Sequence, residues 1–165
     1  MKKLNIAILI ISDTRTASTD KSGKLLKKLI TNEGHCVFKK EIIPDNIYII
    51  RSKVSCYIID KKIDVIITSG GTGITGSDGT PEAIKVLLDK EIDGFGELFR
   101  SISYNKIKTS SLQSRALAGV ANSTFVFVLP GSVDACKTAW EKIIQHQLNS
   151  NTKPCNLVML MPRLK

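Results

Sequence analysis

The chain is 165 residues long, the size of one domain able to bury roughly 70% of the surface its unfolded form exposes, and residues 1–165 are expected to form a single domain. Hydrophobic residues make up 42% and charged residues 24%, which argues against a disordered chain, and no apolar run approaches the roughly 18 to 20 residues that a membrane span needs. The net charge of +9, from 24 Lys and Arg against 15 Asp and Glu, brings anionic partners into question. The excess is scattered lysine pairs such as Lys27-Lys28, Lys39-Lys40 and Lys61-Lys62, without an RNA-recognition signature or interleaved aromatics, so neither nucleic acid nor membrane is expected as a partner.

In chain order, "MKKLNIAILIISDT" sets two lysines before an apolar stretch, as a secretion signal would. Asn5 interrupts the run, no small-residue cleavage site follows, and it closes on Ser12-Asp13, so residues 4–11 are predicted as a strand covered on both faces. In "STDKSGKLLKKLITNEG", Leu25, Leu26, Leu29 and Ile30 recur at helical spacing and Gly34 supplies a stop. A second strand is predicted over 37–43, ending in "IPDN", then a helix over 46–59 with Ile47, Ile50, Val54 and Ile58 on one face. A third strand, 63–68, runs into the glycine loop of "TSGGTGITGSDGTPEAI". Thr80-Pro81-Glu82 starts the next helix with a hydroxyl cap, a proline at the first position and an acid in the first turn.

Residues 92–122 read as mostly helix and loop. A strand follows over 124–129, ending in "LPGS", and then a long helix capped by Ser132 and lined by Cys136, Ala139, Trp140, Ile143, Ile144 and Leu148. A short apolar segment covers 157–161. This alternation predicts an α/β chain built as three layers, α/β/α, on a largely parallel sheet. Cys36, Cys56, Cys136 and Cys155 contain no C-x-x-C, and only His35 and His146 accompany them. That is not metal-site spacing, and reduced cytosolic thiols are expected.

In an open α/β sheet, ligands bind beyond the carboxyl ends of the strands. Ser12-Asp13, Asp45, Ser69-Gly70-Gly71-Thr72-Gly73 and Pro130-Gly131-Ser132 all fall at such ends, so one cleft is predicted to collect them. Gly71 to Gly76 fits G-x-G-x-x-G, but a dinucleotide fingerprint needs its glycines to open the helix directly. Here Ser77-Asp78-Gly79 intervenes, the pattern follows the third strand, and no acid-ended strand succeeds it. The phosphate-binding P-loop fails too, because Ser77-Asp78 stands where Lys-Ser or Lys-Thr is required.

Two readings of the loop remain: an anion nest of backbone N–H groups beside Thr72 and Thr75, or a plain turn. Asp45 and Asp78 conflict with a bound phosphate, since a carboxylate roughly 4 Å away is repelled by about 4 kcal/mol at an effective dielectric of 20. Either these acids turn away and cap local backbone, or Mg²⁺ lies between them and the phosphate.

"TSGGTGITGSDGTPEAI", "EIDGFGELFRSISYNKIKTSSLQSRALAGVAN", "VLPGSVDACKTAWEKIIQHQLN" and "KPCN" together resemble the MoaB/MogA family of molybdopterin-binding proteins, over nearly the whole chain. The resemblance implies a trimeric or hexameric homo-oligomer of the cytoplasm, working among other molybdenum cofactor biosynthesis proteins. It implies Mg²⁺ and ATP as partners of the reaction, in which the terminal phosphate of molybdopterin attacks the α-phosphorus of ATP to give adenylyl-molybdopterin and pyrophosphate.

Position by position, Asp45 and Asp78 match the acids associated with Mg-ATP and catalysis, and Ser69, Gly70, Gly71, Thr72 and Gly73 the phosphate-facing loop. Ser12, Asp13, Ser22, Gly23, Ser110, Ser114, Arg115, Pro130, Gly131 and Ser132 match segments lining the pterin or nucleotide cleft. Capping of a helix start by Ser110 and Ser114, and pairing of Arg115 with an acid, are the alternatives for those three. Ser77 stands where many adenylyltransferase members carry arginine. A carrier or scaffold that binds molybdopterin and transfers nothing is the second function the resemblance implies.

Overall fold

The computed structural model describes residues 2–164. Six strands, β1 (Asn5–Ile11), β2 (Cys36–Ile43), β3 (Val65–Ser69), β4 (Lys90–Glu91), β5 (Leu117–Ala121) and β6 (Thr124–Leu129), form one sheet in the order β2-β1-β3-β6-β5-β4. β2, β1, β3 and β6 run parallel, and β5 and β4 complete one edge by antiparallel pairing. The helices are α1 (Lys21–Asn32), α2 (Ile47–Ile59), α3 (Thr80–Lys85), α4 (Asp93–Ile107), α5 (Val133–Ala139) and α6 (Gln145–Gln147).

The aliphatic runs of the central strands alternate between two cores, as strands buried on both faces must. Ile6, Ile8, Ile10, Val65, Ile67, Phe125 and Phe127 pack with Leu26 and Ile30 of α1, Phe95 and Phe99 of α4, and Trp140. Their neighbours Ala7, Leu9, Ile66, Val126 and Val128 pack with Ile50, Val54 and Tyr57 of α2 and Ala83 and Ile84 of α3. The result is the three-layer α/β/α arrangement on a largely parallel sheet that the alternation predicts.

Three expectations need correction. The stretch 92–122 is not only helix and loop: after α4 and a 3₁₀ segment (Lys108–Gln113) it ends in β5. "LAGVA" lacks a β-branched run because small residues are required there; a Cβ on Gly119 would press against Leu88 and the Lys90 carbonyl at 2.6 Å. Its strand character comes from the hairpin into β6, turned by Asn122 and Ser123 at φ of 46° and 69°. The long final helix is instead α5, a π-helical segment (Trp140–Ile144) and α6. The hydroxyl cap expected of Thr80 is not made, because Gly79 is the N-cap of α3 and Thr80 is already its first residue, with no side-chain cap hydrogen bond; the apolar segment 157–161 lies in a 3₁₀ stretch, Leu157–Arg163.

His35 sits 4% exposed between the start of β1 and the π segment; its Nδ1 accepts the Leu4 N–H at 3.3 Å, and its ring meets Trp140 edge-on at 6.5 Å. Burial pulls its pKa below the ordinary value, against the opposing pull of Glu33 and Asp64. The unfolded chain therefore takes up a proton that the folded one refuses, so stability present above about pH 6.5 is lost as pH falls through the folded pKa. Between about pH 7.5 and about pH 5 the wild type should lose more of its melting temperature than His35→Gln. Parallel curves would remove His35 as a source of acid sensitivity.

Candidate functional site

Because β1, β2, β3 and β6 are parallel, their carboxyl ends share one edge of the sheet. The chain leaves β1 for β2 on one side and returns from β2 to β3 on the other, which opens a crevice between the loops. These loops bind one another. Ser12 N–H donates to Ile43 O at 2.9 Å, Asp45 N–H to Asp13 Oδ1 at 3.0 Å, and Gly70 N–H to Leu129 O at 3.0 Å. Arg15 spans the crevice, donating to Gly131 O at 2.7 Å and Ser22 Oγ at 2.5 Å.

A cleft of about 430 Å³ lies at this edge. Gly70, Gly71, Thr72, Gly73, Asp78, Ser110, Ser114 and Pro130 to Ser132 line it. The other candidates stand beside it. Ser69 Oγ lies behind the loop, 3.3 Å from Pro130 O and 3.2 Å from Cys136 Sγ. Ser22 and Gly23 are buried in the first turn of α1, where Asp20 accepts the Gly23 N–H at 2.8 Å and pairs with Lys40 at 2.5 Å. Ser12 Oγ accepts the Arg15 N–H at 3.1 Å. Ser132 Oγ accepts the Ala135 N–H at 3.1 Å and so caps α5. Arg115 points at the back of the glycine loop and pairs with Glu82.

The loop departs from strand geometry at once, with Gly70 at φ 116° and Gly71 at φ 63°, a region that only glycine enters freely. A side chain at Gly71 would also strike Thr80 Oγ1 and come within 2.6 Å of Asp45 Oδ2. The two acids have opposite surroundings. Burial, and then the charges of Asp78 and Asp13, push the Asp45 pKa up against the pull of the Gly79 N–H, and its Oδ1 is buried without a hydrogen-bond partner. Asp78 is held low by the Thr75 hydroxyl, the Thr75 and Gly73 N–H groups and the Arg115 charge, with burial opposing. Its Oδ2 accepts the Thr75 N–H at 2.9 Å and the Thr75 hydroxyl.

Thr80 Oγ1 and Ser114 Oγ are likewise buried without partners. The donors around the loop are therefore hard oxygens, one of them a carboxylate whose charge the fold leaves uncompensated. Among the described residues there is no group of three or more His, Cys, Asp and Glu able to hold a metal. A divalent ion here would rest on one or two carboxylates and complete its shell from ligand and water, which is the habit of Mg²⁺. The cysteines are free, and Cys136, its thiol pushed up to about 11 by burial, is a poor nucleophile.

The family model described as "Probable molybdopterin binding domain" matches residues 7–150. The chain belongs to this molybdopterin-binding family. Molybdenum cofactor biosynthesis protein B of Escherichia coli strain K12 is 49% identical over 151 residues, 92% of this chain and 89% of that protein. A crystal structure of a molybdenum cofactor biosynthesis protein B superposes with a TM-score of 0.89 at 43% identity, covering 99% of this chain and 96% of the other. The tungsten cofactor synthesizing protein MoaB from Pyrococcus furiosus superposes with a TM-score of 0.75 at 37% identity, covering 87% and 91%.

In this member of the molybdopterin-binding family the wall facing the glycine loop comes from α4 and α5, through Phe99, Ser103, Lys106 and Ile107 on one helix and Asp134, Ala135 and Thr138 on the other. Sequence reasoning missed this wall. The signal available was the spacing of Phe99, Ser103 and Lys106, four and then three apart, which places them on one helical face. Lys106 Nζ reaches Asp134 Oδ1 and Thr138 Oγ1, both at 3.1 Å, and ties α4 to α5 at the cleft. The cleft thus has an apolar floor at Phe99 and Ile107 suited to a planar ring, and a polar, amide-rich side suited to phosphate.

Proposed function

We propose that this protein acts in molybdenum cofactor biosynthesis, binding molybdopterin in the cleft and transferring to it an adenylyl group from Mg-ATP. The relatives named for molybdenum and tungsten cofactor synthesis support the pathway. The observation that carries the chemistry is Asp45: a carboxylate with a buried, partnerless oxygen, crowded by Asp13 and Asp78 beside a glycine loop. Such a group is disfavoured in the bare fold and satisfied by a cation.

Mg²⁺ held by Asp45 and Asp78 would offset the triphosphate charge against the two carboxylates. The Gly71 to Gly73 segment sits at the lip of the cleft with no side chain bulkier than Thr72, so its backbone can approach a phosphate closely and bring N–H groups to the charge that develops in transfer. The attacking phosphate monoester is already ionised at neutral pH and needs no general base. Its oxygen forms a bond to the α-phosphorus, the bond from that phosphorus to the bridging oxygen breaks, and pyrophosphate leaves with the electron pair. The Phe99 and Ile107 floor would orient the pterin, so that catalysis is mostly positioning and electrostatics.

One observation favours the second reading, a carrier: Asp78 already accepts two hydrogen bonds from Thr75. Heat protection separates the two. Mg-ATP at about 100 times its Kd should stabilise the wild type by about 2.7 kcal/mol and leave Asp78→Ala unprotected. A carrier would be protected by molybdopterin and unaffected by Mg-ATP.

A further inference from the structure

Arg115 lies in the short connection between the 3₁₀ segment Lys108–Gln113 and β5, and its side chain reaches the glycine loop. Its guanidinium is committed on every side. Nε donates to Gly73 O at 2.8 Å, Nη2 donates to Asp78 O at 2.6 Å, and Nη1 pairs with the Glu82 carboxylate in the first turn of α3. The two carbonyls lie on either side of the turn closed by Asp78 N–H to Thr75 O at 3.0 Å. One planar group therefore staples both ends of the loop's excursion to the helix that follows it.

The consequence runs through peptide geometry. In a trans peptide the C=O and N–H point in opposite directions, so fixing the oxygen fixes the direction of the hydrogen. The peptide whose oxygen Arg115 holds at Asp78 carries the Gly79 N–H, which donates to Ser77 O at 3.1 Å and lies close enough to Asp45 to draw its pKa down. Between the two held carbonyls, the Thr75 N–H donates to Asp78 Oδ2 at 2.9 Å and the Thr75 hydroxyl donates to the same oxygen. One guanidinium thus holds both ends of the turn that fixes Asp78 and brings the Gly79 amide beside Asp45.

We infer that Arg115 is a positioning residue, which with Glu82 holds the glycine loop and so places Asp78 and the amides around it beside Asp45, and that it does not itself bind phosphate. This inference rests on the Mg-ATP site proposed above. A bidentate fork is required: lysine would keep the charge and lose the paired bonds to two carbonyls.

The test uses the full-length protein, Arg115→Lys and Glu82→Ala, with two readouts. Amide hydrogen exchange without ligand reports the loop directly, and Mg-ATP heat protection reports the site. The clamp predicts exchange at the amides of residues 73–79 about tenfold faster in both variants. It also predicts Mg-ATP affinity about tenfold weaker in both, the low end of what losing an outer partner of a metal-holding carboxylate costs. Because Arg115 and Glu82 act as a unit, the double variant should be little worse than either single one.

Unchanged loop exchange in both variants would overturn the clamp. So would tighter Mg-ATP binding by Glu82→Ala, the result expected if Glu82 merely competes with phosphate for Arg115. A wild type that Mg-ATP does not protect would remove the function proposed above, while the exchange data would still decide for or against the clamp.

Discussion

Asp45→Asn is expected to raise the melting temperature while lowering adenylyl transfer by more than about 100-fold. The two effects have one cause. The Asp45 pKa is raised in the fold by burial and by Asp78 and Asp13, so the folded state holds a proton that the unfolded state releases. The sign follows directly: stability falls as pH rises from the unfolded value of about 3.9 through the folded pKa, and at neutral pH the full cost is present. A neutral carboxamide of the same shape removes that cost, a gain of about 1 kcal/mol, and its N–H₂ can donate toward the neighbouring acids. The same exchange removes the charge proposed to hold Mg²⁺. A variant less stable than wild type that still turns over would show Asp45 to be a structural acid.

Gly70→Ala should be the most damaging single-methyl change in the loop. Gly70 has φ 116°, and a Cβ there would be driven into the carbonyl of Ile11 at the end of β1. Its N–H is bonded to Leu129 O at the end of β6, so the residue cannot swing away without breaking the join between the glycine loop and β6. Holding a non-glycine residue in such a conformation costs about 1 to 3 kcal/mol, and the collision adds to it, for a loss of about 3 kcal/mol out of the 5 to 15 typical of a domain. Urea unfolding should show a lower midpoint with an unchanged slope. Gly76→Ala is the matched control: nothing lies within 4 Å of its added Cβ, and a change within about 0.5 kcal/mol is expected. Equal losses at both positions would mean that neither the backbone conformation nor the close contact at Gly70 sets the cost.

That contrast bears on what could be read from the chain. β1, β3 and β6 were legible because a strand buried on both faces must be apolar throughout, and the polar punctuation after each marked the edge where the cleft forms. β5 was not, because its Leu-Ala-Gly-Val-Ala composition answers to close packing against Leu88 and Lys90, which exists only once the hairpin is formed. The π segment after α5 left no mark because its residues, Trp140, Ile143 and Ile144, keep helical spacing. The far wall of the cleft was hidden for a different reason: periodicity shows that Phe99, Ser103 and Lys106 share a face, not what that face meets.

The acids illustrate the limit most clearly. Asp45 and Asp78 were equal candidates in the sequence, each with magnesium or local capping open to it. In the fold Asp78 caps Thr75 and is held low, while Asp45 is left with a partnerless oxygen. The difference depends on Asp13, which takes the Asp45 N–H, and on Arg115, which sets the loop from behind. Long-range contacts of this kind have no local signature.

The measurement that tests the central claim most directly is incubation of the purified protein with molybdopterin, ATP and Mg²⁺, following adenylyl-molybdopterin and pyrophosphate together. The account predicts that both appear in equal amounts and that neither forms when Mg²⁺ is chelated. Molybdopterin retained by the protein with no pyrophosphate released would contradict it, and would make the cleft the binding site of a carrier.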